Sequence, residues 1–255
     1  MAPSGKGFER IRTRPAYEQV AEAIEQKILA GRLRPGDPVG TESELVQQFG
    51  VNRSTVREGI RLLERSGLVT RQASRRLSVA VPHYHKLTTR MTRALILQQV
   101  TFRELWHTSC ALEPAAMSLA IDNRTNADLA ALEENLAATR AGARKPAVIV
   151  ECDAEFHKLL GEAAHNRILL LAKEPSSMLV QPTTAGIICR NPSAIPRLIE
   201  AHTHMVDALR RRDRDAALLW VDRHLRDWKA GFARAGLDLD SPVPPHIVAD
   251  QDAAE

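Results

Sequence analysis

Residues Thr41–Gly67 read TESELVQQFGVNRSTVREGIRLLERSG. Thr41 followed by Glu44 has the capping-box spacing, in which each side chain satisfies a backbone N–H of the other residue at a helix start. Leu45, Val46 and Phe49 give that helix an apolar side. Gly50 stands where the chain must reverse, and a residue without Cβ accepts the left-handed backbone of such an exit. Asn52 is a good N-cap for a second helix. Val56, Ile60 and Leu63, at i, i+4 and i+7, put one face of that helix into a core. Gly67 ends it. The opposite face carries Arg53, Ser54, Thr55, Arg57 and Arg61. Two short helices, a tight turn, and hydroxyl and guanidinium groups at the start of the second helix are the makings of a helix-turn-helix. In that geometry these residues enter the major groove, where arginine reads guanine edges and hydroxyls hold phosphates. The plainer alternative is a helical hairpin with a solvated basic face.

The flanks extend the unit. Pro15 opens a helix with a Val20, Ile24, Ile28, Leu29 stripe, Gly31 stops it, and LRPGDP is a turn. After Gly67, the β-prone Leu68, Val69 and Val79, Val81 flank a polar reversal. They predict a small hairpin, a wing, with Arg71, Gln72, Ser74, Arg75 and Arg76 at or near its tip. Residues 14–82 thus read as a winged helix-turn-helix domain. A wing lies along the phosphate backbone or in the minor groove. The alternative is a hairpin that only closes the small core.

Charge is distributed accordingly. Residues 1–82 hold 14 Lys and Arg against nine Asp and Glu, whereas residues 236–255 hold five acids and no base. A basic N-terminal third suits a nucleic-acid module. Aromatic content is 4%, and no apolar run approaches a membrane span. Three widely spaced cysteines, Cys110, Cys152 and Cys189, point to reduced thiols acting as small buried groups in a cytoplasmic protein.

YEQVAEAIEQKILAGRLRPGD and the Thr41–Gly67 stretch followed by Leu68 and Val69 resemble the DNA-binding domain of GntR-family bacterial transcription regulators. The resemblance covers residues 15–81. It implies a double-stranded operator as partner, with contacts from Asn52, Arg53, Ser54, Thr55 and Arg57, and from Ser43, Arg71 and Ser74 around them. Ser43 stands where the family often has arginine or lysine, and Ser74 where it often has glycine.

Residues 1–13 read as a flexible N-terminus, 83–87 as a linker and 88–235 as an all-α bundle. The helices are expected at 87–98, 102–121, 126–141, 147–164, 166–190, 194–211 and 214–233, with Pro175 and Pro182 as candidate breaks. Thr125 with Asp128 is another capping signal. From residue 236 the acidic tail is expected to be disordered. The fold class is therefore mostly α, a winged helix followed by a helical domain.

Four polar residues of that domain fall on core-facing stripes. Asp153 and His157 are i, i+4. His202 is in register with Leu198, Val206 and Leu209, and His224 with Val221 and Trp228. Asp213 is 11 residues from both His202 and His224, so a hairpin turning there sets the two rings level. His204 points about 200° away from His202. One carboxylate and three imidazoles facing a core form a divalent-metal set, with zinc first and nickel, manganese or iron as alternatives. Separate core histidines, each bonded to a carbonyl or carboxylate, are the plainer reading.

The same four residues match a second pattern, the FCD effector domain of FadR-type GntR regulators, over residues 88–232. That resemblance implies a small-molecule effector, an organic acid among the candidates. The family often has an arginine four residues before the position of Glu113 to grip such an acid, and here Ser109 stands there. Arg103, Trp106 and His107 are the substitutes nearby, with Trp106 also suited to a packed core. The resulting reading is an effector-controlled DNA-binding regulator acting as a homodimer. Its rivals are a metal-dependent hydrolase with an accessory DNA-binding module, and a regulator whose metal is purely structural. Glu155 lies about 200° from Asp153 on its helix and is a poor general base. H-E-x-x-H, G-x-S-x-G and Gly-rich phosphate loops are missing.

Overall fold

A computed structural model describes residues 14–72, 76–81 and 84–244. The chain divides into two compact units, residues 1–83 and 84–255. In the first, α1 (Ala16–Leu29), α2 (Glu42–Phe49) and α3 (Arg53–Ser66) pack with β1 (Pro38–Gly40), β2 (Val69–Arg71) and β3 (Leu77–Val79). The strands form an antiparallel sheet in the order β1-β3-β2, with Val69 opposite Val79 and Arg71 opposite Leu77. β1 lacks a sequence signal because three residues, a proline and a glycine among them, cannot display a period. The wing tip, with Ser74 and Arg75, lies outside the described residues.

The helix ends form as their residues dictate. Thr41 Oγ1 accepts from the Glu44 N–H and the Glu44 carboxylate accepts from the Thr41 N–H, completing the capping box. Gly50 turns the corner at φ 64°, and Gly67 ends α3 at φ 78°. Val56, Ile60 and Leu63 are fully buried beside Val20, Ile24 and Leu45. Leu29, counted in the α1 stripe, is exposed instead, because α1 ends there. Gly59 is where α1 and α3 come closest: a Cβ there would meet the Tyr17 carbonyl oxygen at 2.9 Å.

The second unit comprises α4 (Tyr84–Leu97), α5 (Phe102–Asn123), α6 (Asn126–Ala141), α7 (Pro146–Ala163), α8 (Arg167–Arg190), α9 (Ala194–Arg211) and α10 (Arg214–Arg234). Thr125 and Asp128 form the expected capping box, and Thr101 with Glu104 forms another. Its main core gathers Met117, Leu132, Phe156, Leu160, Met205 and Leu209. α8 runs unbroken through Pro175 and Pro182. Each proline forfeits one backbone hydrogen bond. Nearby hydroxyls turn back on the helix: Ser176 and Ser177 donate to the Lys173 carbonyl and Thr183 to that of Val180. Packing of buried Leu179, Ile187 and Ile188 carries the helix past both interruptions.

Two expectations are corrected. The segment after α10 is not free from residue 236. Leu237 and Leu239 pack against Phe232, Val243 is buried beside Leu105 and Leu179, and the Arg103 N–H donates to the Leu239 carbonyl at 2.8 Å. Acidic composition hid three well-spaced apolar anchors. Of the cysteines, Cys110 and Cys152 are half-buried but Cys189 is exposed.

Gly59→Ala should destabilise the winged-helix unit by about 1–3 kcal/mol, the usual range for overpacking. Scanning calorimetry checks this, and an unchanged transition would show that α1 can move away from α3 without cost.

Candidate functional site

The first unit presents its basic groups at the start of α3. Asn52, Arg53, Ser54 and Arg57 are exposed and Thr55 is half-buried. Asn52 Oδ1 accepts from the Thr55 N–H at 2.8 Å and from the Ser54 hydroxyl at 2.7 Å, so its carbonyl end is occupied in capping. Arg53 donates to Ser43 Oγ at 3.0 Å, which brings those two predicted residues together. Arg57 reaches Glu42. Arg71 is the last residue of β2, near the wing reversal as expected, and its guanidinium is held by Glu42 and Glu64. The predicted DNA-facing side chains that are described thus form one cluster around the N-terminal ends of α2 and α3.

In the second unit the hairpin of α9 and α10 turns where expected. Arg212 takes φ 54°, Asp213 caps α10, and the His202 and His224 ring centroids stand 5.0 Å apart. α7 adds Asp153 and His157. One donor atom from each of the four residues lies within 4.8 Å of every other. His157 Nε2 is 3.1 Å from His224 Nε2, and Asp153 Oδ1 is 3.5 Å from His202 Nε2 and 3.8 Å from His157 Nε2. With ligand bonds of about 2.1 Å, neighbouring ligand atoms around one ion fall about 3.0–3.4 Å apart. The three separations run from 3.1 to 3.8 Å, and no pair exceeds 4.8 Å.

Hydrogen bonding separates this set from ordinary core histidines. His202 has no exposure, and neither of its ring nitrogens has a hydrogen-bond partner; Asp153 Oδ1 likewise has none. Orphaned buried polar atoms are costly. Burial, then the neighbouring His224 and His157, push the His202 pKa well below its ordinary value, so the ring is neutral and offers a lone pair. Burial and His157 bring His224 down to about 3. Burial raises Asp153, whose carboxylate resists ionisation unless a cation stands beside it. These residues fit a divalent cation.

Residues around the centre, unrecognised in the sequence, fix its members. Phe156 stacks on His202 at 3.7 Å between centroids, 8° from parallel. Thr184 donates to Asp153 Oδ2 at 3.1 Å. Glu113 Oε2 lies 3.2 Å from His157 Nδ1, within ion-pair range though not aligned as a hydrogen bond, and leaves Nε2 for the centre. Lys173, 3% exposed, binds Glu113 Oε1 and the His157 carbonyl, both at 2.8 Å. Burial opposes ionisation of Glu113, but Lys173 and His157 prevail and bring its pKa down to about 2. The sequence signal for Lys173 was its register: it shares an α8 face with Leu170 and Ser177.

A cavity of about 380 Å³ opens onto the centre. Ser109 lines it; Arg103 does not. Arg103 forms a two-pronged ion pair with Asp240, so it is unsuited to an effector role. Trp106 donates to the Leu225 carbonyl and serves packing. His204 stacks on Trp220. Trp228 lines the cavity, with its buried Nε1–H unpartnered.

A winged helix joined to a helical ligand domain is the construction of a ligand-responsive DNA-binding regulator. Residues 16–79 match the family described as bacterial regulatory proteins, gntR family, and residues 104–227 match the FCD domain. The chain belongs to the GntR family of transcriptional regulators and carries an FCD domain. It is 25% identical over 224 residues to the Glc operon transcriptional activator of Escherichia coli K12, covering 85% of this chain and 88% of that one. It is 24% identical over 204 residues to the galactonate operon transcriptional repressor of the same strain, covering 78% and 89%. A solved GntR structure from Streptococcus agalactiae shares the fold, with a TM-score of 0.58 and 19% identity over 84% of this chain and 99% of that one. These relatives are regulators, not enzymes. Among the described residues no helix is long and apolar enough to cross a membrane.

Lys173→Met should leave Glu113 buried without its cation. Stranding one member of a buried pair costs about 3–5 kcal/mol, so the calorimetric transition of the helical unit should fall by about 10 °C. An unmoved transition would mean that Glu113 is neutral.

Proposed function

We propose that this regulator works in the cytoplasm as a homodimer. It places two α3 helices in successive major grooves of a pseudo-palindromic operator. Asn52, Arg53, Ser54, Thr55 and Arg57 supply the groove contacts, with Ser43, Arg71 and the wing around Ser74 on the backbone. Effector binding in the helical domain shifts the population competent for DNA, which requires different effector affinities for the two states.

The single observation that carries the effector reading is buried His202, with both ring nitrogens unpartnered, beside a cavity. Asp153, His157, His202 and His224 would hold a divalent metal, zinc first by donor set. Such an ion supplies a Lewis-acidic centre for a carboxylate or hydroxyl oxygen of the effector. The cavity wall adds Trp228 Nε1–H, Ser109 and Ser177 as neutral hydrogen-bonding groups. Six carboxylates line the cavity against two ammonium groups, Lys158 and Lys173, and among the described residues no arginine does. That balance disfavours a dianion and suits a small hydroxylated monocarboxylate, the class to which galactonate belongs. The galactonate repressor among the relatives supports this choice.

His202→Ala should lower the bound metal measured by elemental analysis of the purified protein. Lactate and galactonate should raise the melting temperature of the zinc-loaded protein but not of the chelated or His202→Ala protein, and succinate should raise it less. A ligand at 100 times its dissociation constant adds about 2.7 kcal/mol. Equal responses of loaded and chelated protein would remove the metal from effector recognition.

Arg57→Ala should weaken binding to a duplex selected from a random pool by about 1–3 kcal/mol, the worth of a specific base contact. Unchanged affinity in a gel-shift titration would discard the groove assignment.

A further inference from the structure

The DNA-facing cluster has a carboxylate at its centre. Glu42, the first residue of α2, places Oε2 3.3 Å from Arg57 Nη2 on α3 and Oε1 3.2 Å from Arg71 Nη2 on β2. Its side chain is 17% exposed, against 51% for Arg57 and 37% for Arg71, so the carboxylate lies beneath the two guanidinium groups. Arg71 is also fixed by Glu64 through Nε at 3.3 Å. Burial opposes ionisation of Glu42, but the hydrogen bonds from Arg57 and Arg71 outweigh it, and the group is charged at neutral pH.

A negative charge in a DNA-facing surface repels phosphate and needs a reason. Arginine side chains are long and lose rotamer freedom when placed. A carboxylate shared by two of them prepays that loss and sets their separation before DNA arrives. It also cancels one of the two positive charges, and non-specific affinity follows the number of phosphates neutralised. Both effects favour discrimination over raw attraction.

We propose that Glu42 is a positioning residue for DNA recognition: it holds Arg57 and Arg71 in register and suppresses binding to non-operator DNA. This rests on the reading that Arg57 and Arg71 face the duplex. Glu42 has a second consequence as an acid in the first turn of α2, where it also favours the helix N-terminus. The test must separate the two.

The full-length protein is titrated with a duplex selected from a random pool by the wild-type protein, and with a random-sequence duplex, over a range of salt concentrations. Glu42→Gln should steepen the salt dependence by about one unit and tighten random-duplex binding about fivefold at 0.15 M salt. Affinity for the selected duplex should not rise, so the ratio between the two should fall at least as much. Glu42→Asp keeps the charge on a shorter arm. It should retain the wild-type salt slope while losing affinity for the selected duplex. In an Arg57→Gln/Arg71→Gln background, Glu42→Gln should change neither slope nor ratio, because the groups it acts through are gone. A merely structural role would weaken both duplexes equally, or act unchanged in that background, and either result overturns the proposal. If Arg57→Gln alone leaves binding to the selected duplex intact while Glu42→Gln changes the ratio, the reading of Arg57 fails and the proposal falls with it.

Discussion

Burying one carboxylate and three imidazoles together is costly wherever their lone pairs lack partners. That constraint organises the helical domain. α7 supplies two of the four groups and the α9–α10 hairpin the other two, and the turn at Arg212 and Asp213 sets the rings level. Phe156 holds one ring flat, Thr184 steadies the aspartate, and Glu113 with Lys173 orients His157. A hydrophobic core of the same shape would need none of these partners. Their presence holds the donor atoms of His202, Asp153 and His157 in fixed positions, with both His202 ring nitrogens and Asp153 Oδ1 left without a hydrogen-bond partner.

The winged helix answers a related problem on its surface. Guanidinium groups crowded at the end of α3 repel one another. The first turn of α2 offers Glu42 and the hydroxyl of Ser43 to three of them. The Gly50 turn and the shared burial of Leu45 with Val56 and Ile60 bring α2 and α3 together, and the Gly67 exit leads from α3 into β2. Core packing and charge placement are therefore two results of the same short stretch of chain.

Much of this was legible because it is periodic or local. Capping boxes need four residues, and apolar stripes repeat every turn, so the helices and the phases of Asp153, His157, His202 and His224 could be read directly. The level pairing of His202 with His224 followed from equal spacing about Asp213. What escaped has no local signature. The Glu113–Lys173 pair joins residues 60 positions apart. Arg103 looked available because its partner, Asp240, stood in a segment that composition marked as solvent-loving. β1 is too short to show alternation. Glu42 is an acid in the first turn of a helix, and its partners on α3 and β2 are distant in sequence.

All three tryptophans, Trp106, Trp220 and Trp228, belong to the helical domain, and Trp228 lines the cavity with its indole N–H unpartnered. The winged-helix unit contains none. Tyr17 also emits from the winged-helix unit, but emission excited beyond the tyrosine band comes from indole alone and therefore wholly from the helical domain. An occupant that accepts from the Trp228 indole alters that emission at its source, so the molecule carries an intrinsic optical probe of its own cavity with no label attached.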